Sequence, residues 1–166
     1  GIADLERANI NVFHLTDFDD VAKKINPGYF KRHTFGLPFV RLKLAMSLDG
    51  RTGLANGKSK WITSSEARCD VQKYRAKSSA IVTGINTVLA DDPQLTVRTS
   101  ELGLDRRKLE KNKISFLNKP LRIILDSKKR IPDTSRIICN SGEVKIFSIQ
   151  GPEKSDKSGN NVEHIK

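Results

Sequence analysis

Three short apolar runs limit what this chain can fold into more than any other feature. "SSAIVTG" (78–84), "PLRIILDS" (120–127) and "EVKIFSI" (143–149) crowd β-branched and large aliphatic residues together and stop at small or polar ones. Runs of this length and content are expected as strands. A fourth segment, "FVRLKLAMS" (39–47), alternates, with Val40, Leu42 and Leu44 on one face and Phe39, Arg41, Lys43 and Ala45 on the other. Between it and the first run, Thr63-Ser64-Ser65-Glu66 reads as a capping box. Ala67, Val71 and Tyr74 come next at helical spacing as the inward face. A second, short helix is expected from about Asn86 to Ala90, closed by Asp92-Pro93. Strand, helix, strand, short helix, strand, strand describes an α/β layer fold in which helices cover a largely parallel sheet.

The flanking segments read differently. In residues 1–37, "GIADLERANINVFHL" suggests a helix end (Leu5, Ala8) running into a short strand (Ile10, Val12, Phe13). "DFDDVAKKINPGYFKRH" then suggests a short helix with Val21 and Ile25 inward, stopped by Asn26-Pro27-Gly28. This stretch is expected to close a preceding domain and to link it to the α/β layers. Residues 99–118 are polar and weakly patterned, as in a long surface insertion, and 151–166 are expected as a polar tail without fixed structure.

Composition narrows the function classes. The 166 residues are 37% hydrophobic, enough for one domain with a core, or one domain and a piece of another. Lys and Arg number 30 against 19 Asp and Glu, a net charge of +11. Such an excess suits a phosphate-bearing partner, whether nucleic acid, nucleotide cofactor or phosphorylated metabolite, and it equally suits a merely basic surface. An RNA-binding face would interleave aromatics with cations, but aromatics make up 6% of the chain and sit mostly on apolar faces. Cys69 and Cys139 form no CxxC pair, and His14, His33 and His164 lack metal-ligand spacing. No run reaches the length of a membrane span or a signal-peptide core, so no membrane partner and a cytoplasmic setting are expected.

Candidate site residues cluster around strand ends. Arg41 and Lys43 share a strand face that either meets solvent or lines an anion pocket, and Lys43 lies nearer the carboxyl end, where α/β sheets hold ligands. The segment 47–61 offers Ser47, Asp49, Gly50, Gly53, Gly57 and Ser59 before the single tryptophan. Trp61 either anchors the core or flanks a planar ligand. Arg75 either neutralises the end of its helix or reaches a phosphate bidentately. In "TGINTVLADDPQLTVR" (83–98) a strand passes into a new helix start, whose amides suit an anion, with Thr87 adding a hydroxyl. Asp91, Asp92 and Arg98 lie farther along the same stretch.

Taken in order, these blocks closely resemble the reductase domain of the bifunctional riboflavin-biosynthesis deaminase–reductase family. K-L-A-M-S-L-D-G-R, S-K-W-I-T-S and T-V-L-A-D-D-P-Q-L-T-V-R carry the resemblance, which is nearly continuous over 38–98 and resumes at 120–127. It implies a dihydrofolate-reductase-like α/β fold, with 38–150 as the N-terminal portion of the domain and the domain C-terminally incomplete. It further implies NADPH as cofactor, 5-amino-6-(5-phosphoribosylamino)uracil as substrate, and reduction of its ribosyl group to ribityl. By resemblance, Ala45, Trp61, Thr87, Asp91 and Ser127 meet NADPH, and Ser59, Arg75, Leu95 and Arg98 meet substrate. Lys43 is the candidate for polarising the sugar oxygen or relaying the proton, and the loop 48–60 is expected to wrap the substrate. A homo-oligomer, dimer or tetramer, is expected. The family's zinc-binding deaminase elements are not in this sequence, so no deamination and no metal are expected of it. The competing expectation is an inactive or incomplete homologue that serves only as a binding or oligomerisation module.

Overall fold

The computed structural model describes residues 1–113, 119–150 and 161–166, which fall into two compact units, Gly1–Ala45 and Met46–Lys166.

In the first unit, helix α1 (Ile2–Arg7) precedes a 3-10 turn (Thr16–Phe18), α2 (Asp19–Ile25) and α3 (Pro27–Phe35). Asp4 pairs with both the N-terminal amine and Arg7. The strand expected over Ile10–Phe13 does not form. Asn26-Pro27-Gly28 ends α2 as expected, but Pro27 also opens α3, because its missing N–H is no loss at a first helical position. Val21 and Ile25, expected inward, are exposed, and α2 buries none of its residues. The segment 39–45 forms no strand and belongs to no sheet, with Val40 76% and Leu42 79% exposed. Alternation specifies an extended backbone with two faces; it does not by itself supply a hydrogen-bonded neighbour.

The second unit is built on four parallel strands in the order β1 (Ala80–Gly84), β2 (Leu121–Leu125), β3 (Val144–Phe147) and β4 (Val162–Ile165). Val82 lies opposite Ile123, Ile124 opposite Ile146, and Ile146 opposite His164. The three apolar runs are therefore β1 to β3, as expected. β4 corrects the reading of 151–166 as a tail without structure: Val162 is buried, and Lys145 of β3 pairs with Glu163 at 3.0 Å. Two apolar residues beside an open parallel edge suffice to make a strand that an average over the tail hides. The rest of that expectation, 151–160, lies outside the described residues.

Helix α4 (Ser65–Ala76) leads into β1, α5 (Ile85–Asp91) leaves it, and α6 (Arg106–Lys111) and α7 (Arg136–Cys139) come later in the chain. One sheet face carries the core. Ile124 and Ile146 are fully buried there with Val144 and Val162, against Ile85 and Val88 of α5, Leu95, and Ile137 of α7. The other face leaves Val82 and Leu125 more than half exposed. Residues expected as a surface insertion include a 3-10 turn (Thr99–Glu101), buried Leu102 and α6, while 114–118 lie outside the described residues. Among the described residues no helix is long and apolar enough to cross a membrane.

Candidate functional site

The segment that precedes α4 is shaped by its own turns. Ser47 and Gly50 close one turn, with the Gly50 N–H donating to the Ser47 carbonyl at 2.9 Å. Leu54 and Gly57 close the next in the same way at 2.9 Å. Gly50 and Gly57 both sit at φ 80°, the left-handed region that side-chain-bearing residues avoid. These glycines thus serve the loop's own geometry. Ser47 also donates to Asp49, the main reason its carboxyl lies below the usual range.

α4 begins one residue later than the capping box suggested. Ser64 is the N-cap, its hydroxyl accepting from the Ala67 N–H at 3.3 Å. Glu66 lies in the first turn, where its own backbone N–H, then the Ser64 and Ser65 hydroxyls, hold its carboxyl below the usual value. The inward face of this helix is not the expected Ala67–Val71–Tyr74 stripe. Its only buried residue is Gln72, flanked at helical spacing by half-buried Arg68 and Arg75. A polar face turned inward must find hydrogen-bond partners, and each of these three does.

Arg68 donates to the Thr63 carbonyl at 2.8 Å and lays its guanidinium 4.2 Å from the centre of the Trp61 ring. Trp61 is 72% exposed, which removes the core-anchor reading and leaves one ring face stacked on a cation. Gln72 accepts the Arg98 N–H at 3.1 Å, and Arg75 donates to the Thr96 carbonyl at 3.0 Å. Arg75 neither caps its own helix nor stands free in a cleft; it grips the segment after α5. Arg122, on the buried face of β2 and 2% exposed, grips the same segment from below. It donates to the carbonyls of Gln94 (3.3 Å), Asn140 (3.0 Å) and Gly142 (2.6 Å). Burial lowers its pKa, and carbonyl dipoles take the place of water around the charge.

The held segment is strained. Asp92 has φ 40° and buried Leu95 φ 51°, uncommon for residues with side chains. Asp92 also accepts the Arg136 N–H at 2.8 Å, tying the turn to α7. At its end, Arg98 pairs through Nε with Glu101 at 3.1 Å. Arg75 feels this neighbourhood: burial first, then the Arg98 charge, lower its pKa, while Glu101 raises it. Arg75, Leu95 and Arg98 are thereby brought together.

α5 gathers the other predicted residues. Near its start, Asn86 accepts from Arg130 at 2.8 Å, which draws in the loop carrying exposed Ser127. At its end, Asp91 pairs with Lys60 at 3.2 Å, which draws in Ser59 and Trp61. Thr87 is exposed one turn before Asp91. Ser127 directly succeeds Asp126, a fully buried carboxylate whose Oδ2 accepts the Ile131 N–H at 2.8 Å and shapes that loop. Lys43, exposed, and Ala45, half-buried, stand on the segment 39–45 of the first unit. Arg68, Gln72, Arg122 and Asp126 are not among the residues expected from sequence. The spacing 68–72–75 on α4 was the available signal for the first two.

Two groups of residues beside a parallel sheet, one about α5 and one where α4 meets the 92–98 segment, invite comparison with known proteins. The chain matches the RibD C-terminal domain family over residues 38–160. It belongs to that family. It is 52% identical over 130 residues to the riboflavin biosynthesis protein RibD of Haemophilus influenzae, covering 78% of this chain and 34% of that protein. It is 43% identical over 101 residues to a Buchnera aphidicola (subsp. Acyrthosiphon pisum) protein named 5-amino-6-(5-phosphoribosylamino)uracil reductase, covering 61% of this chain and 48% of that protein. Among solved structures, Acinetobacter baumannii RibD matches with a TM-score of 0.78 at 40% identity, over 99% of this chain and 43% of that one. The chain therefore spans well under half the length of these RibD relatives. The fold is the dihydrofolate-reductase-like α/β arrangement expected, here seen as one portion of a RibD reductase domain.

Proposed function

We propose that this chain carries part of an NADPH-dependent reductase that converts the ribosyl group of 5-amino-6-(5-phosphoribosylamino)uracil to ribityl. The observation that carries the reading is the pairing of two residue sets around the segment 83–98. Trp61, Thr87, Asp91 and Ser127 gather about α5, and Arg75, Leu95 and Arg98 gather where α4 meets the strained turn.

The first set suits a dinucleotide: an open indole face for a planar ring, two exposed hydroxyls, and a carboxylate for ribose hydroxyls. NADPH supplies the hydride when bound. The second set suits a sugar phosphate, because two guanidiniums offer forked donors to its oxygens. The resemblance adds Ser59 to the substrate contacts and Ala45 to the cofactor contacts. Lys43 is the residue we assign to polarising the sugar oxygen or relaying its proton. Positioning of this kind, with donors fixed in advance, is the main thing a protein contributes to a cofactor-driven reduction. The cytoplasm and a homo-oligomeric assembly complete the reading.

The test is direct. Titrating NADPH into the protein should quench the fluorescence of the single tryptophan, and adding substrate should consume NADPH absorbance. Replacing Lys43 with methionine should lower turnover about 100-fold or more with NADPH affinity retained. Absence of both quenching and turnover refutes the proposal.

A further inference from the structure

The Arg98–Glu101 ion pair has a place in the proposed binding of a phosphate. Arg98 is fixed at its backbone by Gln72, yet its side chain is 51% exposed and joined to Glu101, 34% exposed, at 3.1 Å. Arg75 stands beside them with its Nη1 already committed to the Thr96 carbonyl. Two like charges held close by a rigid frame repel unless an anion lies between or beside them. Glu101 supplies that anion: its charge favours the charged form of Arg75, where the Arg98 charge opposes it. The ion pair brings Glu101 to the Nε edge of Arg98, and a guanidinium carries five N–H donors in all.

We infer that Glu101 is a built-in counter-ion that an incoming phosphate displaces from the Arg75–Arg98 pair, so that this carboxylate sets the affinity for the substrate's anionic end. The inference rests on the proposed role of the two arginines. A half-exposed carboxylate is held weakly enough to leave, because such pairs gain little over their hydrated state. A phosphate dianion carries twice its charge and reaches more donors at once. The two guanidiniums are thus kept ordered before phosphate arrives, and monoanions of low charge density are disfavoured against Glu101. Glu101 would act as a specificity-determining residue that never needs to touch the reacting atoms.

The test uses inorganic phosphate as probe, with binding to the full chain measured calorimetrically for wild type, Glu101→Gln, Arg98→Gln and the double variant. Glu101→Gln should bind phosphate about three- to tenfold tighter, since the substitution removes a competitor and a like charge together. The gain should shrink as salt rises and vanish in the double variant. A loosened fold would weaken binding, so tighter binding is not an outcome that damage can imitate. Weaker or unchanged phosphate binding in Glu101→Gln overturns the inference, as does failure of wild type to bind phosphate at all. NADPH quenching of Trp61, measured on the same samples, tests the reductase reading separately and should not change in Glu101→Gln.

Discussion

Replacing Arg122 with methionine keeps most of the side-chain volume and removes only the guanidinium. Three carbonyls, of Gln94, Asn140 and Gly142, then lose their donor inside a site that is 2% exposed. A buried polar group left unpaired costs about 1–3 kcal/mol. The longest of the three bonds, 3.3 Å to Gln94, contributes least. The expected loss is therefore about 3–5 kcal/mol, a large part of the total of about 5–15 kcal/mol that a typical domain has. Arg122→Lys should recover only part, because one ammonium on a flexible stem cannot reach three carbonyls set at a guanidinium's spacing. Gly142→Ala should destabilise as well, since φ is 116° there and an added Cβ would stand 3.3 Å from the Arg122 Nη2. Urea unfolding monitored by far-ultraviolet circular dichroism measures all three. The result that refutes the reasoning is an Arg122→Met unfolding free energy within about 1 kcal/mol of wild type, or full recovery by lysine.

Two further outcomes are expected from the same contacts. Arg68→Ala should shift the emission of Trp61 and raise the KM for NADPH several-fold with little change in kcat, since only the stacking partner and the Thr63 anchor are lost; Arg68→Lys should restore a fraction of both, and steady-state kinetics with fluorescence reads them together. Glu66 has its folded pKa lowered by amide and hydroxyl donors at the start of α4, so its contribution is present above its unfolded pKa and lost as pH falls through the lower folded value. The melting temperature of Glu66→Gln should therefore lie below wild type at neutral pH and converge with it in acid.

What the sequence displayed and what it hid divide along physical lines. β1, β2 and β3 were legible because short β-branched runs have few alternatives, and α5 because Asp92-Pro93 ends it. The strand expected over 39–47 does not form, since alternation describes one segment and pairing is a property of two. β4 was hidden by the polar residues around Val162 and Ile165. The face of α4 was misread for a different reason. Periodicity tracks apolar residues, and here the inward positions are Arg68, Gln72 and Arg75, whose partners are backbone groups of Thr63, Thr96 and Arg98. No side-chain pattern announces a carbonyl or an amide. The resemblance to a known family carried the candidate residues, and it carried them by chemistry rather than by surroundings; that Arg75 holds backbone was not visible in either.

Burial sorts the arginines around the 92–98 segment by task. Arg122 is sealed in and donates to the carbonyls of Gln94, Asn140 and Gly142; its work is to hold the chain where Leu95 takes a left-handed conformation. Arg75 is half-buried, spends one donor on Thr96, and keeps the rest of its fork available. Arg98 is exposed, fixed at its amide by Gln72 and paired at its guanidinium with Glu101. Strain persists in a backbone only where the surroundings over-determine it, and here the sheet, α4 and α7 each contribute a tie, through Arg122, through Gln72 with Arg75, and through the Arg136 amide. A segment restrained from three sides presents its last residue at a fixed point, so a small charged group would meet donors already placed rather than donors it must first order.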